Sequence, residues 1–475
     1  MTPAREPCEH AARRYLSCAV PHVDPVPLDA FLAHGDAAIR YLEQHTSVSL
    51  MPVATYPDDD PDLPGATLGG RVLEPVAFDA RALGADFALL RAPLPEFLLF
   101  GGMMVSRQNI PHLRRATRSL RSAAHVARLL ARRVHERLRA PRGTTLVLGD
   151  ALAGRLLASL RRTRVSLATA MRVGGPRPHD GAVIGVNAID AHGATVGLVA
   201  ARGVVLATGG LSHGRDLRAA GASLTPPTSD GAFWMPASTF TRADGTPGVY
   251  PHTVADRAKP GLIAVDTRGV RFVNEAVSYH EFVRAQLRAS ATAIPAWLLC
   301  DARFLWHYGL GRVRPFTRGI EQHVRDGYLR RGASVDASAQ AIGVPAVRLR
   351  DTVDVYNLRA RDGRDPAFGR GGDAYQRHLG DAARAPNPCV APLERAPFYA
   401  LRVLPADLGM AAGIRTDAKA RVLDAKGQII AGLCACGNDM HSVMEGAYPA
   451  PGITLGPALT FGYLAGRDAA GRATA

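Results

Sequence analysis

The chain has 475 residues, 47% of them hydrophobic and 21% charged, which suffices for a large core and two domains and excludes a disordered or low-complexity protein. Its 57 basic against 42 acidic residues give a formal charge of +15, but no recognition motif or interleaved aromatic platform accompanies that charge, so no nucleic-acid partner is expected. No uncharged apolar run approaches spanning length and the first residues carry no apolar leader core, so the expectation is a cytoplasmic protein without a transmembrane segment.

In chain order, Leu28, Phe31, Leu32, Ile39 and Leu42 recur at helical spacing and predict a helix over 28–44. A loop rich in Pro, Asp and Gly follows from Tyr56 to Gly70. The densest basic stretch, His112 to Arg142, spaces Leu113, Leu120, Val126, Leu129, Leu130, Val134 and Leu138 in a helical pattern with Arg between them, which reads as an amphipathic helix with a solvated basic face. Contact of that face with an anionic membrane surface is the other role its charge allows. Asp150 or a neighbour is expected to cap the next helix, which carries Leu152, Leu156, Leu157 and Leu160.

The texture then changes to short strands. Ala182–Ile189 and Thr195–Ala200 alternate about the turn Asp190–Gly193, and a third strand from Gly203 ends in Leu-Ala-Thr-Gly-Gly (Leu206–Gly210). Further on, Gly261–Val265 and Val270–Val273 bracket a turn at Asp266–Gly269. The C-terminal part reads Gly-Leu-Cys-Ala-Cys-Gly-Asn-Asp (Gly432–Asp439), then Ala-Tyr-Pro-Ala-Pro-Gly-Ile-Thr-Leu-Gly (Ala447–Gly456), then a helical run to Ala470. A strand ending in small residues lets a bulky planar ligand approach the backbone, and a Pro/Gly loop opening a helix aims N–H groups back at it. The six cysteines form no CxxC pair and no disulfide framework, and Cys434, Cys436 and His441 match no zinc spacing, so no metal is expected.

These last segments resemble the flavin-binding segment of the fumarate reductase/succinate dehydrogenase flavoprotein superfamily, in the branch of the 3-ketosteroid Δ1-dehydrogenases. Gly437, Asn438 and Asp439 match the family turn beside the ribityl chain. Gly452, Thr454 and Leu455 match the turn facing the pyrimidine edge of the isoalloxazine. Ala207, Thr208, Gly209 and Gly210, placed after a β-meander, match the glycine turn that passes close to FAD. The run Arg271–Phe282 matches the substrate-domain signature.

The resemblance implies a mixed α/β (α+β) fold, with a Rossmann-like FAD-binding domain at 1–230 and 409–475, a β-meander, and an α+β substrate domain inserted at 231–408. It implies FAD as cofactor, a hydrophobic steroid-like ketone as substrate, an unnamed electron acceptor, and hydride transfer from a CH–CH bond beside the ketone. Tyr279 is then the proton acceptor, while Tyr448 and the N–H of Gly452 grip the carbonyl; the residues matching Arg271 and Glu275 commonly tie the two domains together in the family, and a buried ion pair is the other reading of the two. Pro449 and Pro451 stiffen the loop that carries both gripping groups.

Three departures qualify the resemblance. Relatives open with a strand, a Gly-x-Gly-x-x-Gly turn and a helix that hold the pyrophosphate; this sequence carries no such turn, which implies an N-terminally truncated copy. A family turn and helix are missing between Pro226 and Ala232. Tyr56–Pro61 places Asp59 or Asp60 where relatives carry an aromatic wall, a charge that costs free energy unless solvated. The competing expectation is therefore an inactive homologue that does not retain FAD.

Overall fold

Alternating apolar residues and paired turns make strands in two stretches of this chain, and each stretch contributes to its own six-stranded sheet. The computed structural model describes residues 8–20, 22–100, 102–116, 119–210, 231–254 and 256–472. The chain divides into two units, Met1–Ala33, Thr55–Gly69 and Arg172–Ala475 in one and His34–Ala54 with Gly70–Met171 in the other. The segment 211–230, where the family turn was expected to be missing, lies outside the described residues.

In the first unit, one sheet runs Pro247–Pro251, Ala232–Thr241, Phe398–Met410, Ala296–Asp301, Leu262–Val265, with neighbours antiparallel and Arg330–Gly332 also paired to Phe398–Met410. Its Leu262–Val265 strand is buried on both faces, which is why the run lacks polar alternation. The second sheet runs Arg421–Leu423, Ile429–Ala435, Ala182–Ile189, Arg172–His179, with Thr195–Val199 also on Ala182–Ile189. Val204–Leu206 lies parallel to Ile429–Ala435, with Ala435 beside Leu206. Those two strands end side by side, so the turns at Ala207–Gly210 and Gly437–Asp439 leave the same sheet edge. Helix Leu455–Gly471 packs its buried Phe461, Leu464 and Ala465 into a core shared with Tyr15, Leu16, Phe233, Met440 and Ile453.

The expected helix over 28–44 spans Pro25–His45, and Ala182–Ile189 forms with the boundaries its alternation predicts. One strand was not anticipated and two local expectations are corrected. Arg172–His179 is a strand, hidden by Gly174, Gly175, Pro176 and Pro178; it pairs on one side only, where a missing N–H costs little. The arm Val270–Val273 makes a single bridge, Arg271 to Val265, rather than a strand. Asp150 lies in the first turn of helix Leu148–Leu160, whose N-cap is Val147 without a side-chain cap.

The second unit holds the basic stretch, which breaks into helices Ile110–Arg115 and Leu120–Arg137, the latter capped by Ser119. Leu120 is 91% exposed and Leu138 81%, while Ser122, Leu129 and Arg133 are buried. The expected apolar face is thus buried only in its middle, at Leu129 with Val126 and Leu130 half-buried, and Arg133 joins it because the long stem of an arginine covers apolar surface as a leucine would. Among the described residues no helix is long and apolar enough to cross a membrane.

Candidate active site

Two turns form one edge of the site. The buried carboxylate of Asp439 accepts hydrogen bonds from the backbone N–H of Thr208, the Thr208 hydroxyl (2.8 Å) and the N–H of Gly210 (2.9 Å). It therefore latches the Ala207–Gly210 turn to the Gly437–Asp439 turn rather than facing outward. Gly210 adopts φ +103°, and a Cβ there would lie 2.8 Å from the Asn438 carbonyl oxygen, so the two turns close only on glycine. Ala207, Thr208 and Gly209 are exposed above this latch, and a Cβ on Gly209 would meet nothing within 4 Å.

A shallow cleft lies beside it, lined by Phe233, Gly437, Asn438, Met440, Ile453 and Thr454 among others. Thr454 is the N-cap of helix Leu455–Gly471 and Leu455 opens it, half-exposed. Gly452, one turn earlier, is exposed at φ +92° with open space where a side chain would stand. The Gly456 N–H donates to the Gly452 carbonyl (2.7 Å) and Pro457 has no N–H, so this N-terminus presents the helix dipole more than a set of free donors.

Tyr448 begins the loop that ends at Gly452. The backbone carbonyl of Pro449 is held from two directions, by the Tyr15 hydroxyl (2.5 Å) and by the Asp59 N–H (2.9 Å). Ser278 caps helix Tyr279–Arg288 through the Glu281 N–H, which sets Tyr279 at the first helical position. Buried Arg257 fixes the approach to that helix by donating to the carbonyls of His252, Thr253, Glu275 and Val277 at 2.8–3.1 Å. The outcome is that the Tyr279 hydroxyl donates to the Tyr448 hydroxyl at 2.5 Å, with ring centroids 5.0 Å apart. Phe233 and His280 flank Tyr448, and the His280 Nδ1 accepts from the Trp234 N–H (3.1 Å).

Burial pushes the Tyr279 phenol well above its usual range, with Tyr448 and Asp59 adding to it. Burial likewise pushes Tyr448 up to about 12, partly offset by its bond from Tyr279. Asp59 is 8% exposed and both its carboxyl oxygens are buried without a hydrogen-bond partner among the described residues. Burial, then the charges of Asp60, Asp58 and Glu281, hold its pKa well above the carboxylate range. The Tyr375 hydroxyl is also buried and unpartnered, and both burial and Asp59 raise its pKa.

Tyr279 and Tyr448, 169 positions apart in sequence, are thus brought together, and the two cofactor turns are brought together separately. Sequence reasoning missed Tyr15, Arg257 and Tyr375, none of which has a local motif to mark it. It flagged Asp59 or Asp60 as an anomaly, because the resemblance places an aromatic wall at that stretch. Arg271 and Glu275 form a buried ion-pair network, pairing with each other, Arg271 also with Asp365 and Glu275 also with Arg370. A chain of Ser238, His252 and Asp256 has the bonding order of a hydrolase triad, but each is at most 2% exposed and Ser238 also bonds Tyr328, so it can meet no substrate.

The family described as FAD binding domain matches residues 9–455. The chain is 35% identical over 477 residues to the 4-oxocyclohex-2-ene-1-carboxylate 5-dehydrogenase of Sinomonas cyclohexanicum, covering 94% of this chain and 80% of that one. It is 33% identical to a 3-oxosteroid 1-dehydrogenase of Mycobacterium tuberculosis, covering 96% and 86%. Among solved structures, the 3-ketosteroid Δ1-dehydrogenase of Sterolibacterium denitrificans in complex with 1,4-androstadiene-3,17-dione superposes with a TM-score of 0.85 at 32% identity, covering 98% of this chain and 89% of that one. The residues present fit FAD: a latched glycine turn with open space above it, and the start of a helix at Thr454 lining one cleft with Gly437 and Asn438 of the second turn.

Proposed function

We propose, starting from a chain that belongs to the FAD binding domain family, that it is a flavin-dependent oxidoreductase removing hydrogen from a CH–CH bond beside the ketone of a hydrophobic, steroid-like cyclic substrate. The hydroxyl pair of Tyr279 and Tyr448, standing beside the loop that ends at Gly452, is the observation that carries this reading. Removing hydrogen at this position needs a group to take the α-proton and donors to steady the developing enolate oxygen. Tyr448 and the Gly452 N–H, at the two ends of one proline-stiffened loop, hold the carbonyl. Tyr279 takes the α-proton, and its bond to Tyr448 couples that transfer to the oxygen where charge develops. FAD, when bound, supplies the acceptor for the hydride from the β-carbon.

Ala207–Gly210, Gly437–Asp439, Gly452, Thr454 and Leu455 would hold the cofactor, with Asp439 acting through the backbone it latches. Phe233 and the apolar stretch 408–414, which has no His to clamp a carboxylate, suit a neutral ketone. We assign 231–408 to the substrate domain, with the flavin domain on either side of it; every strand of the first sheet falls inside or at the edge of that segment. The free cysteines at 18, 300, 389, 434 and 436 suit a reducing cytoplasmic location, with an electron acceptor distinct from the substrate.

Purified protein is expected to be yellow, and to turn over a cyclic ketone such as a 3-ketosteroid when an artificial electron acceptor is supplied. Colourless protein that takes up no added FAD would sink the reading. Flavin-loaded protein inert towards both 3-ketosteroids and substituted cyclohexanones would sink the substrate assignment alone.

A further inference from the structure

A tyrosine whose phenol lies well above its usual range is a weak base at neutral pH unless its own proton has somewhere to go. The Tyr279 hydroxyl donates to Tyr448, but Tyr448 is needed as a donor to the ketone and cannot keep a second proton. A group with acceptor capacity whose charge is felt by both hydroxyls is Asp59. Its main-chain N–H is fixed to the Pro449 carbonyl, inside the Tyr448–Gly452 loop, and both carboxyl oxygens are buried without a partner. An unpaired buried carboxyl is costly, and such a cost persists at functional sites rather than at packing sites.

We propose that Asp59 is the proton-accepting partner of Tyr279: as the Tyr279 oxygen takes the α-proton of the ketone, the phenolic proton of Tyr279 passes to the Asp59 carboxylate, directly or through one water. This rests on the dehydrogenase reading above. The α C–H bond breaks and its electron pair moves into the enolate, an O–H bond forms on Tyr279 as its former O–H breaks, and the Asp59 carboxylate becomes a carboxylic acid. Charge balances, since one anion is consumed as the enolate is made. Asp59 acts on the substrate only through Tyr279 and is a positioning residue in that sense.

The surroundings of Asp59 suit a base tuned towards neutrality. Asp58 and Asp60 on its own loop and Glu281 on the Tyr279 helix all disfavour its ionised form, and burial does so most. Arg257 opposes them from the segment behind that helix. Tyr279, Tyr448 and Tyr375 complete the set, and the Asp59 charge raises each of them in turn. A carboxyl raised in this way matches a phenol better than an ordinary carboxylate, whose proton affinity is too low to draw the phenolic proton.

The test compares wild type, Asp59→Asn and Asp59→Glu as flavin-loaded protein across pH. Wild-type kcat/KM should rise with pH as Asp59 ionises. Asp59→Asn should lower kcat/KM at neutral pH by about 100-fold, the usual scale of a general base, with unchanged flavin absorbance, and the deficit should shrink at alkaline pH as Tyr279 ionises by itself. Asp59→Glu should restore the rising limb. A loss that is the same at every pH, or a profile unchanged by Asp59→Asn, overturns the proposal. If wild type turns over no ketone, the dehydrogenase reading fails and the infrared arm decides: a buried carboxylic acid band should titrate away in wild type and be missing in Asp59→Asn. Identical spectra in the two proteins overturn the proposal as well.

Discussion

Glu275 and Asp59 are both buried carboxyls in the same unit of the chain, and the fold treats them in opposite ways. Glu275, with 0% exposure, receives two bonds from Arg271 (2.8 Å each), one from Arg370 (3.0 Å) and one from the Ala264 N–H (2.9 Å). Burial alone would raise its pKa, and Arg271 and Arg370 more than offset that, holding it below the carboxylate range. Asp59 has comparable burial, acidic neighbours and no partner, and its pKa moves the other way. The difference separates a carboxyl that assembles the fold from one that the fold keeps reactive. Burial is common to both; what distinguishes them is whether every lone pair is used.

The largest effect expected from breaking this contrast is at Glu275. Glu275→Ala leaves Arg271 and Arg370 short of their shared partner and should cost about 3–5 kcal/mol, the scale for removing one member of a buried pair, read as a fall in the denaturant midpoint at unchanged slope. Because the folded pKa of Glu275 lies below its unfolded value, its contribution is present above the unfolded pKa and lost as pH falls through the folded one. Wild-type stability should therefore drop with acid, and the drop should be smaller in Glu275→Gln.

On the reactive side, Tyr448→Phe removes one of two carbonyl donors and should cut kcat on a cyclic ketone by about 100-fold, the scale for losing one oxyanion donor, while leaving flavin absorbance intact. Equal losses of flavin and turnover would make Tyr448 structural. Asp439→Ala unlatches the two glycine turns by leaving the N–H groups of Thr208 and Gly210 unpaired. It should weaken FAD binding by about tenfold, from roughly 1.4 kcal/mol of lost preorganisation, measured by flavin titration; unchanged affinity would mean the turns hold their shape without it.

Asp59→Asn should do the reverse of Glu275→Ala and raise the melting temperature at neutral pH, by roughly 2 °C on the scale of about 1 kcal/mol. The sign follows from linkage: an acid whose folded pKa is raised lends stability below its unfolded pKa and loses it as pH rises through the folded value. The gain over wild type should thus vanish near pH 4 and grow towards neutrality. The smallest effect is in the other unit, where Leu120→Lys, at a side chain that is 91% exposed, should leave stability within about 0.5 kcal/mol.

Wherever a short segment both specifies and completes a feature, that feature is legible in the sequence. Ala182–Ile189 alternates because one face of that strand is buried, and its boundaries follow from the pattern alone. Gly210 is glycine because only glycine closes against Asn438, so Ala-Thr-Gly-Gly could be singled out before its partner was known. The helix Leu120–Arg137 shows where this stops, since its buried positions are a serine, a leucine and an arginine, and an apolar template finds the leucine alone.

By itself, then, the sequence determined the family, the α/β character, and the two small-residue turns with the Tyr448–Gly452 loop, because each is written within about ten consecutive residues. Tertiary structure alone decided that Asp439 latches the two turns to each other, that Tyr279 meets Tyr448, and that Asp59 is buried with no partner among the described residues. The reason is that hydrogen-bond satisfaction and desolvation are properties of a neighbourhood assembled from distant segments: the surroundings of Asp59 come from 56–60, 257, 279–281, 375 and 448–449. No stretch of chain states whether its own carboxyl will find a partner there.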